Sequence, residues 1–314
     1  MSIPIPAVNE VLSCLFSSPR GIPHTELRAL AGRHGLDGEQ LADAVCRSGY
    51  LLQQEGGYWQ LEPSHRPHDV SALAQSLAEQ DIELCYRPVT GSTNTDALQD
   101  DFDLPARVHL VECQFSGRGQ KGRRWHARPS ASLLFSLSLP WNPDPDHALV
   151  PAIITLQAGL LLRSALPEPV QQRIRIKWPN DLVAGRAKLA GILAELRQQG
   201  HRGRLVIGVG MNVHVAPKVP ARETIAMEAL MEAVPDRDAL LLSCVSALQT
   251  LAVGRVGMGL SWSPEIDALW GRHVTCSDGR EGVGAGLAPD GGYRLRAQDG
   301  EHVLCAADNI LGWR

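Results

Sequence analysis

The 314-residue sequence lacks the paired cysteines that a disulfide framework or a structural zinc site requires. Its seven cysteines are scattered, odd in number and without a C-x-x-C pair. The N-terminus also lacks a basic segment followed by an apolar one, so we expect no secretory signal. The longest apolar tract, 148–162, contains Pro151 and Gln157 and is shorter than the roughly 20 residues of a membrane-spanning helix. We therefore expect a cytoplasmic protein that has no membrane partner.

A strong overall charge is missing as well. The net charge is −4 and the pI is near 6.3, so the whole chain has no general attraction for nucleic acid or for membranes. Hydrophobic residues make up 44% and charged residues 20%, which is typical of a globular protein. Any binding of anions must therefore come from a local group of charges.

One such group lies in residues 111–125, VECQFSGRGQKGRRW, after an apolar run that predicts a strand. Three glycines alternate with basic residues there, and no acidic residue occurs between Glu112 and Asp144. Glycine lets a backbone approach a ligand closely, and clustered cations suit a phosphate or a carboxylate. The stretch therefore predicts a loop that binds an anion.

Residues 117–122 also match the G-x-G-x-x-G pattern of dinucleotide sites. That interpretation requires a helix to begin inside the motif, so that its N-terminus meets the pyrophosphate. Arg-Arg-Trp-His and then a strand-like run follow instead, and the chain contains no G-x-x-x-x-G-K-[ST] motif. Both of the common nucleotide-binding loops are therefore excluded.

Residues 6–62 show three helical patterns, of which the third, 38–47, can be capped by Asp37. Alternating runs on both sides of Gly56-Gly57 predict a hairpin, and three helices plus a hairpin are typical of a winged helix-turn-helix. Residues 1–68 nevertheless contain five arginines and no lysine against seven carboxylates. Operator DNA as a partner, and a role in packing or dimer contacts, both remain open for this unit.

The chain as a whole is predicted to have an α+β fold. We expect three domains, at 1–67, 68–267 and 268–314. A Pro/His-rich linker at 63–69 marks the first boundary. Residues 224–256 look helical, with a break near Pro235, and a last helix is expected around 264–270. From His273 onward, short strands separated by turns predict an SH3-like barrel.

Four further motifs place polar residues at the ends of predicted strands. Three of them have a plain structural interpretation when they stand alone: an N-cap in the stretch 91–94, a turn with an Asx cap at 177–181, and a snorkelling lysine at 188. The motifs are GSTN at 91–94, KWPND at 177–181, KLAGIL at 188–193 and GVGMN at 208–212.

Together with the glycine-rich loop and in this order, these motifs closely resemble those of the biotin protein ligase family. The N-terminal unit makes the bifunctional biotin ligases and biotin-operon repressors the most similar branch. The resemblance implies a central mixed sheet like that of class II aminoacyl-tRNA synthetases. It also implies ATP, biotin and Mg²⁺ as ligands, a biotin carboxyl carrier protein of acetyl-CoA carboxylase as acceptor, and a homodimer.

The resemblance also implies roles for individual residues. Arg118, Lys188 and Asp181 are expected to be catalytic. Biotin contacts are expected from Ser92, Thr93, Asn94, Gln114, Arg118, Gly119, Gln120 and Lys188. ATP contacts are expected from Lys121, Arg123, Trp125, Asn180 and Asn212. The two asparagines resemble family residues near the nucleotide and magnesium, but no residue is assigned as a direct metal ligand.

The sequence departs from the family pattern at Gln120, where arginine is common, and at Ser130-Ala131-Ser132, where a small Gly-x-Asn is usual. The predicted recognition helix also has Arg47 as its only cation, which puts repression in doubt. Two other functions remain open. One is a lipoate or octanoate ligase of the same fold, and the other is a biotin-sensing DNA-binding regulator with little ligase activity.

Overall fold

The computed structural model describes residues 4–18, 20–62, 67–141, 151–220, 222–253, 261–305, 308 and 310–314. The helices are α1 Ile5–Ser17, α2 His24–Arg33, α3 Gly38–Arg47, α4 Val70–Ala78, α5 Thr93–Ala97, α6 Pro151–Ala165, α7 Glu168–Gln171 and α8 Arg237–Leu248. The first strands are β1 Ile22–Pro23, β2 Leu52–Glu55, β3 Tyr58–Leu61, β4 Ile82–Thr90, β5 Ala106–Gln114 and β6 Ser132–Trp141. They are followed by β7 Arg175–Lys177, β8 Asp181–Ala184, β9 Ala187–Gln199 and β10 Arg202–Asn212. The last are β11 His273–Cys276, β12 Glu281–Leu287, β13 Tyr293–Ala297, β14 Gly300–Leu304 and β15 Ile310–Trp313.

The N-terminal unit contains the three predicted helices and a small antiparallel sheet of order β1-β3-β2. Helix α3 begins where the sequence predicts. The Asp37 side chain accepts a hydrogen bond from the Gln40 backbone N–H, and the Gln40 side chain accepts one from the Asp37 N–H. This capping box satisfies two backbone donors, and such a cap contributes about 1 kcal/mol to helix stability.

The central sheet has seven strands in the order β4-β5-β6-β10-β9-β8-β7. Strands β4 and β5 are parallel, and every other neighbouring pair is antiparallel. Strand β6 has two different faces, because successive side chains point to opposite sides of a strand. Leu133, Phe135, Leu137 and Leu139 join the main hydrophobic core with residues of α6 and α8. The opposite face carries serines, and this polar face is the side on which the functional site lies.

The N-terminal unit packs against the ends of β4 and β5. The Asn9 side chain donates to the Val89 carbonyl at 2.9 Å and accepts from the Val89 N–H at 2.7 Å. Cys113 Sγ donates to the Ser48 carbonyl at 3.1 Å. Val89 and Cys113 belong to the same hydrophobic cluster as the buried residues of α1 to α3. The unit is therefore joined to the strand ends that lead into the site.

The C-terminal strands form a sheet of order β14-β13-β12-β11-β15. The predicted SH3-like barrel is not confirmed, because within the described residues β14 and β15 are the two edges of an open sheet. The sheet packs on the central domain through Trp178, which is 1% exposed and whose Nε1 donates to the Gly291 carbonyl at 3.0 Å. The C-terminal sheet is thereby fixed beside the KWPND motif.

The helical prediction for 224–256, with its break near Pro235, is confirmed after the break by α8, whereas the helices predicted for 224–236 and 264–270 are wrong. Residues 224–236 form only a 3-10 turn at Met227–Ala229, because Lys188 exchanges backbone hydrogen bonds with Glu223 and Ile225 and holds this segment extended. Residues 264–270 form turns, because the Ile176 backbone bonds to Ile266 and Ala268. The turn predicted at 142–147 lies outside the described residues, as do the ends of the helical predictions at 148–150 and 254–256.

None of the described helices is both long enough and apolar enough to cross a bilayer.

Candidate active site

A cavity of about 640 Å³ lies on the polar face of the central sheet, a size that suits a small-molecule ligand. Its walls come from α5, the end of β5, the glycine-rich loop, strands β8 to β10 and the C-terminal segment. All fourteen residues that the sequence assigned to the site line it: Ser92, Thr93, Asn94, Gln114, Arg118, Gly119, Gln120, Lys121, Arg123, Trp125, Asn180, Asp181, Lys188 and Asn212. The structure brings these residues together, and their individual roles stay predictions.

Two glycines of β10 make room for the side chains that rest on the sheet. A Cβ atom at Gly208 would lie 1.8 Å from Asn94 Oδ1, and one at Gly210 would lie 2.4 Å from Trp125 Cε2. Both distances are below any ordinary contact, so a side chain at either position would displace its neighbour. The two glycines of the G-x-G-x-N motif therefore leave the space that the side chains of Asn94 and Trp125 occupy.

One end of the cavity is a network of neutral polar groups. The Thr93 N–H donates to Gln114 Oε1 at 2.8 Å. Ser136 Oγ donates to Asn94 Oδ1 at 2.6 Å and lies 2.7 Å from Thr93 Oγ1. Thr93 and Asn94 are each only 3% exposed. Because each group has a partner, the network holds these side chains in fixed orientations before any ligand binds.

Ser92 lies beside this network at the start of α5. It is 3% exposed, its backbone is extended, and its side chain makes no capping hydrogen bond to the helix. The N-cap interpretation is confirmed for the backbone of Ser92, whose carbonyl accepts a hydrogen bond from the Asp96 N–H at 3.0 Å, but the Ser92 side chain does not cap the helix and the residue lines the cavity.

Glu195 links the neutral network to the glycine-rich loop. Its Oε2 accepts from Asn94 Nδ2 at 2.9 Å, and its Oε1 accepts from Arg118 Nη2 at 2.7 Å. Neither Glu195 nor Ser136 is among the residues that the sequence predicts for the site. The alternation of serine and leucine in β6 could have indicated Ser136, whereas Glu195 follows the KLAGIL motif without a distinguishing signal.

The glycine-rich loop folds back on itself as a narrow hairpin. The Gly119 N–H donates to the Arg123 carbonyl at 2.8 Å, and the Trp125 N–H donates to the Gly117 carbonyl at 2.8 Å. Lys121 has a left-handed backbone with a φ of 60°, and its Nζ donates to the Asp308 carbonyl of the C-terminal segment. No α-helix follows the loop, as the sequence predicts.

Lys188 and Asp181 form the ionic centre of the cavity. Lys188 Nζ lies 2.5 Å from Asp181 Oδ1 and 5.2 Å from the centroid of the Trp125 ring. Lys177 Nζ lies 3.9 Å from Asp181 Oδ2. Burial lowers the pKa of Lys177, Asp181 opposes that change, and Lys188 adds to it. The alternative that Lys188 merely snorkels is wrong, because its ammonium lies in the cavity beside a carboxylate.

The two asparagines fix the strands around the ionic centre. Asn180 Nδ2 donates to the Ile192 carbonyl at 2.9 Å. Asn212 Nδ2 donates to the carbonyls of Lys188 and Ile225 at 3.3 and 3.2 Å. Asn212 is 1% exposed, and its Oδ1 accepts no hydrogen bond from the described residues. Asn212 therefore carries an oxygen that is free to meet a ligand.

The charge of the cavity is opposite in sign to that of the chain. Among the described residues of its wall, eight side chains are cationic and three are carboxylates, whereas the chain as a whole has a net charge of −4. The cations are Arg118, Lys121, Arg123, Arg124, Lys177, Arg186, Lys188 and Arg222, and the carboxylates are Asp181, Glu223 and Asp308. Such an excess favours a polyanion. The cavity thus has a neutral hydrogen-bonding end and a cationic end.

Comparison with known proteins agrees with this arrangement. Residues 86–212 match the model of the biotin/lipoate A/B protein ligase family. This part of the chain is similar to that family. The matched residues contain the neutral network, the glycine-rich loop and the Lys188–Asp181 pair.

Curated biotin ligases are similar to part of the chain. The biotin–[acetyl-CoA-carboxylase] ligase of Mycobacterium tuberculosis is 35% identical over 48% of this chain and 56% of its own length. The bifunctional ligase/repressor BirA of Escherichia coli is 34% identical over 40% of this chain and 39% of its own length. The chain thus spans less than two thirds of these relatives.

Solved structures agree on the fold. The biotin protein ligase of Aquifex aeolicus in complex with biotin and ATP superposes with a TM-score of 0.58 at 20% identity. The superposition covers 72% of this chain and 97% of that one. The fold is therefore α+β with a mixed central sheet, like that of biotin protein ligases.

Proposed function

We propose that the protein is an ATP-dependent biotin–protein ligase. It forms biotinyl-5′-adenylate and then transfers biotin to a lysine of the biotin carboxyl carrier protein of acetyl-CoA carboxylase. The observation that carries the proposal is a cavity that has both a neutral end and a cationic end. Biotin has a neutral ureido head and a carboxylate, and ATP brings a polyphosphate, so the two substrates match the two ends.

The neutral end suits the ureido ring. Ser92, Thr93, Asn94 and Gln114 supply hydroxyl and amide groups, which can both donate and accept hydrogen bonds. Glu195 fixes Asn94 on one side and Arg118 on the other. We infer that Arg118, Gly119 and Gln120 cover the bound biotin and bring its carboxylate to the cationic end.

In the first step a carboxylate oxygen of biotin attacks the α-phosphorus of ATP, and pyrophosphate leaves. Two anions must approach each other, so preorganised cations lower the barrier by offsetting their repulsion and the charge that develops on phosphorus. We assign this role to Lys188, whose ammonium lies beside Asp181 in the cavity, and we assign further charge to Arg118, Lys121 and Arg123. The ion pair with Asp181 holds the Lys188 ammonium in place.

The adenine is assigned to Trp125, whose ring lies over the glycines of β9 and β10. Asn180 and Asn212 are assigned to the nucleotide side of the cavity. The donor atoms there fit a Mg²⁺ ion that arrives on the phosphates, since Mg²⁺ takes only one or two protein carboxylates and keeps several waters. Asp181 and the buried Oδ1 of Asn212 are the oxygens available to it. The ion would offset phosphate charge.

In the second step the acceptor lysine amine attacks the carbonyl carbon of the mixed anhydride, and AMP leaves. We assign Asp181 to orient this amine or to accept its proton. No covalent enzyme intermediate is needed, because the anhydride is already activated. Gln120 stands where the family commonly has arginine, and Lys121 supplies the neighbouring charge.

The test uses purified protein with ATP, Mg²⁺, labelled biotin and a carrier domain as acceptor. Label should reach the carrier, and it should fail to reach a carrier variant whose acceptor lysine is replaced by arginine. Transfer without ATP, or no transfer at all, would overturn the proposal. Excess unlabelled lipoate or octanoate should not compete, and competition would favour the lipoate-type alternative that the same family model includes.

We propose a second function, repression of the biotin operon by the N-terminal unit acting as a winged helix-turn-helix. The succession of α1 to α3 and a hairpin supports it, and some relatives are named bifunctional ligase/repressors. A gel shift on the protein's own upstream DNA at low salt, with and without biotinyl-adenylate, tests it. A shift that strengthens with the adenylate is expected, and no shift in either case would leave this unit with packing as its role.

We further propose domain boundaries at 67 and 267 and an SH3-like class for the C-terminal unit. We also propose a cytoplasmic location and a homodimer. One hydrophobic cluster centred on each of the three units supports the three domains, although the N-terminal cluster also includes Val89 and Cys113 and the C-terminal cluster also includes Leu156 and Trp178 of the central domain. Sedimentation of the protein with and without biotin plus ATP tests the dimer, and a monomer under both conditions would contradict it.

A further inference from the structure

Trp313 is a further aromatic residue that lines the cavity. It lies on β15 near the C-terminus, where its backbone pairs with Val274 of β11. Two cations of the central domain face its ring. Lys177 Nζ is 4.6 Å and Arg186 Cζ is 5.5 Å from the ring centroid, both within the range of a cation–π attraction.

Neither cation is hydrogen-bonded to a carboxylate of the described residues. Lys177 Nζ is 3.9 Å from Asp181 Oδ2, and Arg186 Nε is 3.6 Å from Glu223 Oε1. A charge-assisted hydrogen bond would be about 2.7–2.9 Å long. Their donors are therefore positioned by the ring while remaining available to an incoming anion.

The charged groups follow one another along the cavity in a defined order. Trp125 is next to Lys188, Lys188 is next to Asp181, and Asp181 is next to Lys177, which faces Trp313. If adenine lies on Trp125 and the α-phosphorus lies near Lys188, the other two phosphates of ATP extend toward Lys177 and Arg186.

We propose that Trp313 is a positioning residue that holds Lys177 and Arg186 to receive the departing pyrophosphate. The inference rests on the proposed adenylation. A bond forms between the biotin carboxylate oxygen and the α-phosphorus. The bond from that phosphorus to the bridging oxygen breaks, and its electron pair stays on the pyrophosphate. The two cations stabilise this new charge, so the C-terminal sheet contributes to the first step and not to the transfer of biotin.

Two assays separate these steps. The ATP–pyrophosphate exchange reaction gives a KM for pyrophosphate, and single-turnover transfer from supplied biotinyl-adenylate to the carrier bypasses pyrophosphate. Trp313→Ala should raise the KM for pyrophosphate by roughly tenfold, given the usual strength of a cation–π contact, and leave transfer at its wild-type rate. Trp313→Phe keeps an aromatic face and should recover most of the loss.

A matched control is Trp270→Ala, which removes an indole that is 40% exposed and outside the cavity wall. It should leave the KM for pyrophosphate unaltered. If Trp313→Ala is misfolded by circular dichroism, Arg186→Gln carries the test, because that side chain is 55% exposed and its loss should not affect folding. A several-fold rise in the same KM is then expected.

The possible results are distinguishable. If the wild-type protein showed neither ATP–pyrophosphate exchange nor transfer of biotin to the carrier, the proposed function itself would be wrong. Exchange in the wild type, with an unaltered KM for pyrophosphate in Trp313→Ala or Arg186→Gln, would overturn this inference alone. An equal loss of exchange and transfer in Trp313→Ala would also overturn it, because it would indicate only a structural role.

Discussion

Lys188 Nζ lies 2.5 Å from Asp181 Oδ1, and the same ammonium faces the Trp125 ring at 5.2 Å. One cation therefore lies beside both Asp181, the carboxylate proposed to act in the second step, and Trp125, the ring proposed to stack on adenine. A substrate carboxylate or phosphate that enters the cavity must compete with Asp181 for this charge. Lys188 is thus the residue whose removal should affect the chemistry most directly.

Lys188→Ala should lower the rate of adenylate formation by at least about tenfold, from the loss of one charge-assisted contact of ~1.5–3 kcal/mol. Adenylate formation in single turnovers with labelled biotin measures it. Lys218→Ala, which removes an exposed lysine outside the cavity wall, serves as the control and should behave as wild type. Wild-type adenylation in Lys188→Ala would remove this lysine from the mechanism.

Glu195→Ala should raise the KM for biotin by about tenfold, because both Asn94 and Arg118 lose a hydrogen-bonded anchor. The KM for ATP should change less. Steady-state kinetics with each substrate varied in turn gives both values. Glu195→Gln keeps an acceptor and should show a smaller effect, and Glu232→Ala, an exposed site outside the cavity wall, should show none. Equal changes in both KM values would argue against a specific link to biotin.

Substitutions at the two glycines of β10, Gly208 and Gly210, should affect the KM values of different substrates. Gly208→Ala should displace Asn94 and raise mainly the KM for biotin, whereas Gly210→Ala should displace Trp125 and raise mainly the KM for ATP. Overpacking costs about 1–3 kcal/mol, so each increase should be about tenfold. Gly32→Ala has open space around the new methyl group and is the control. If both variants raised the KM of the same substrate, the assignment of Asn94 to biotin and of Trp125 to ATP would be refuted.

The pH dependence of stability should include a contribution from Asp100, which is 5% exposed. Burial acts to raise the pKa of Asp100, but hydrogen bonds from His109, Ser138 and Arg107 outweigh it and lower the pKa to about 2 from 3.8. A carboxylate with a lowered folded-state pKa stabilises the protein above its unfolded-state pKa. That stability, about 2 kcal/mol, is lost as the pH falls from about 4 to about 2.

Urea unfolding at about pH 6 and about pH 3 measures this contribution. The difference in unfolding free energy between wild type and Asp100→Asn should shrink by about 1 kcal/mol at the lower pH. Asp103→Asn removes a carboxylate that is 79% exposed in the same region and should leave the pH dependence unaltered. A constant difference between wild type and Asp100→Asn would contradict the lowered pKa.

Local patterns in the sequence predict much of the fold. Three features depend only on neighbouring residues and could be predicted for that reason. They are the cap at Asp37, the glycine-rich loop without a following helix, and the apolar run of β6. The site residues were found because their motifs resemble a known family, and the structure brings all of them to one cavity. The chain order of the motifs could not show that Asn94 and Trp125 rest on glycines of the same strand.

The failures have a common physical cause, which is pairing between distant segments. Residues 264–270 have no helix because the backbone of Ile176 supplies their hydrogen bonds, and the segment after Thr224 is held by Lys188. Glu195 is 101 residues from Asn94, and Trp313 is still farther from Lys177. No local pattern records such contacts, so these residues became visible only in the folded chain.

The Asn9 side chain has one more consequence, which concerns assembly. Strand β4 is an edge of the central sheet, and an edge normally offers unpaired N–H and C=O groups to a strand of another molecule. At Val89 both of these groups are already bonded to Asn9. Any sheet that continues across this edge from a second copy must end before Val89 or detach α1. The N-terminal unit thereby limits how far two copies can align side by side.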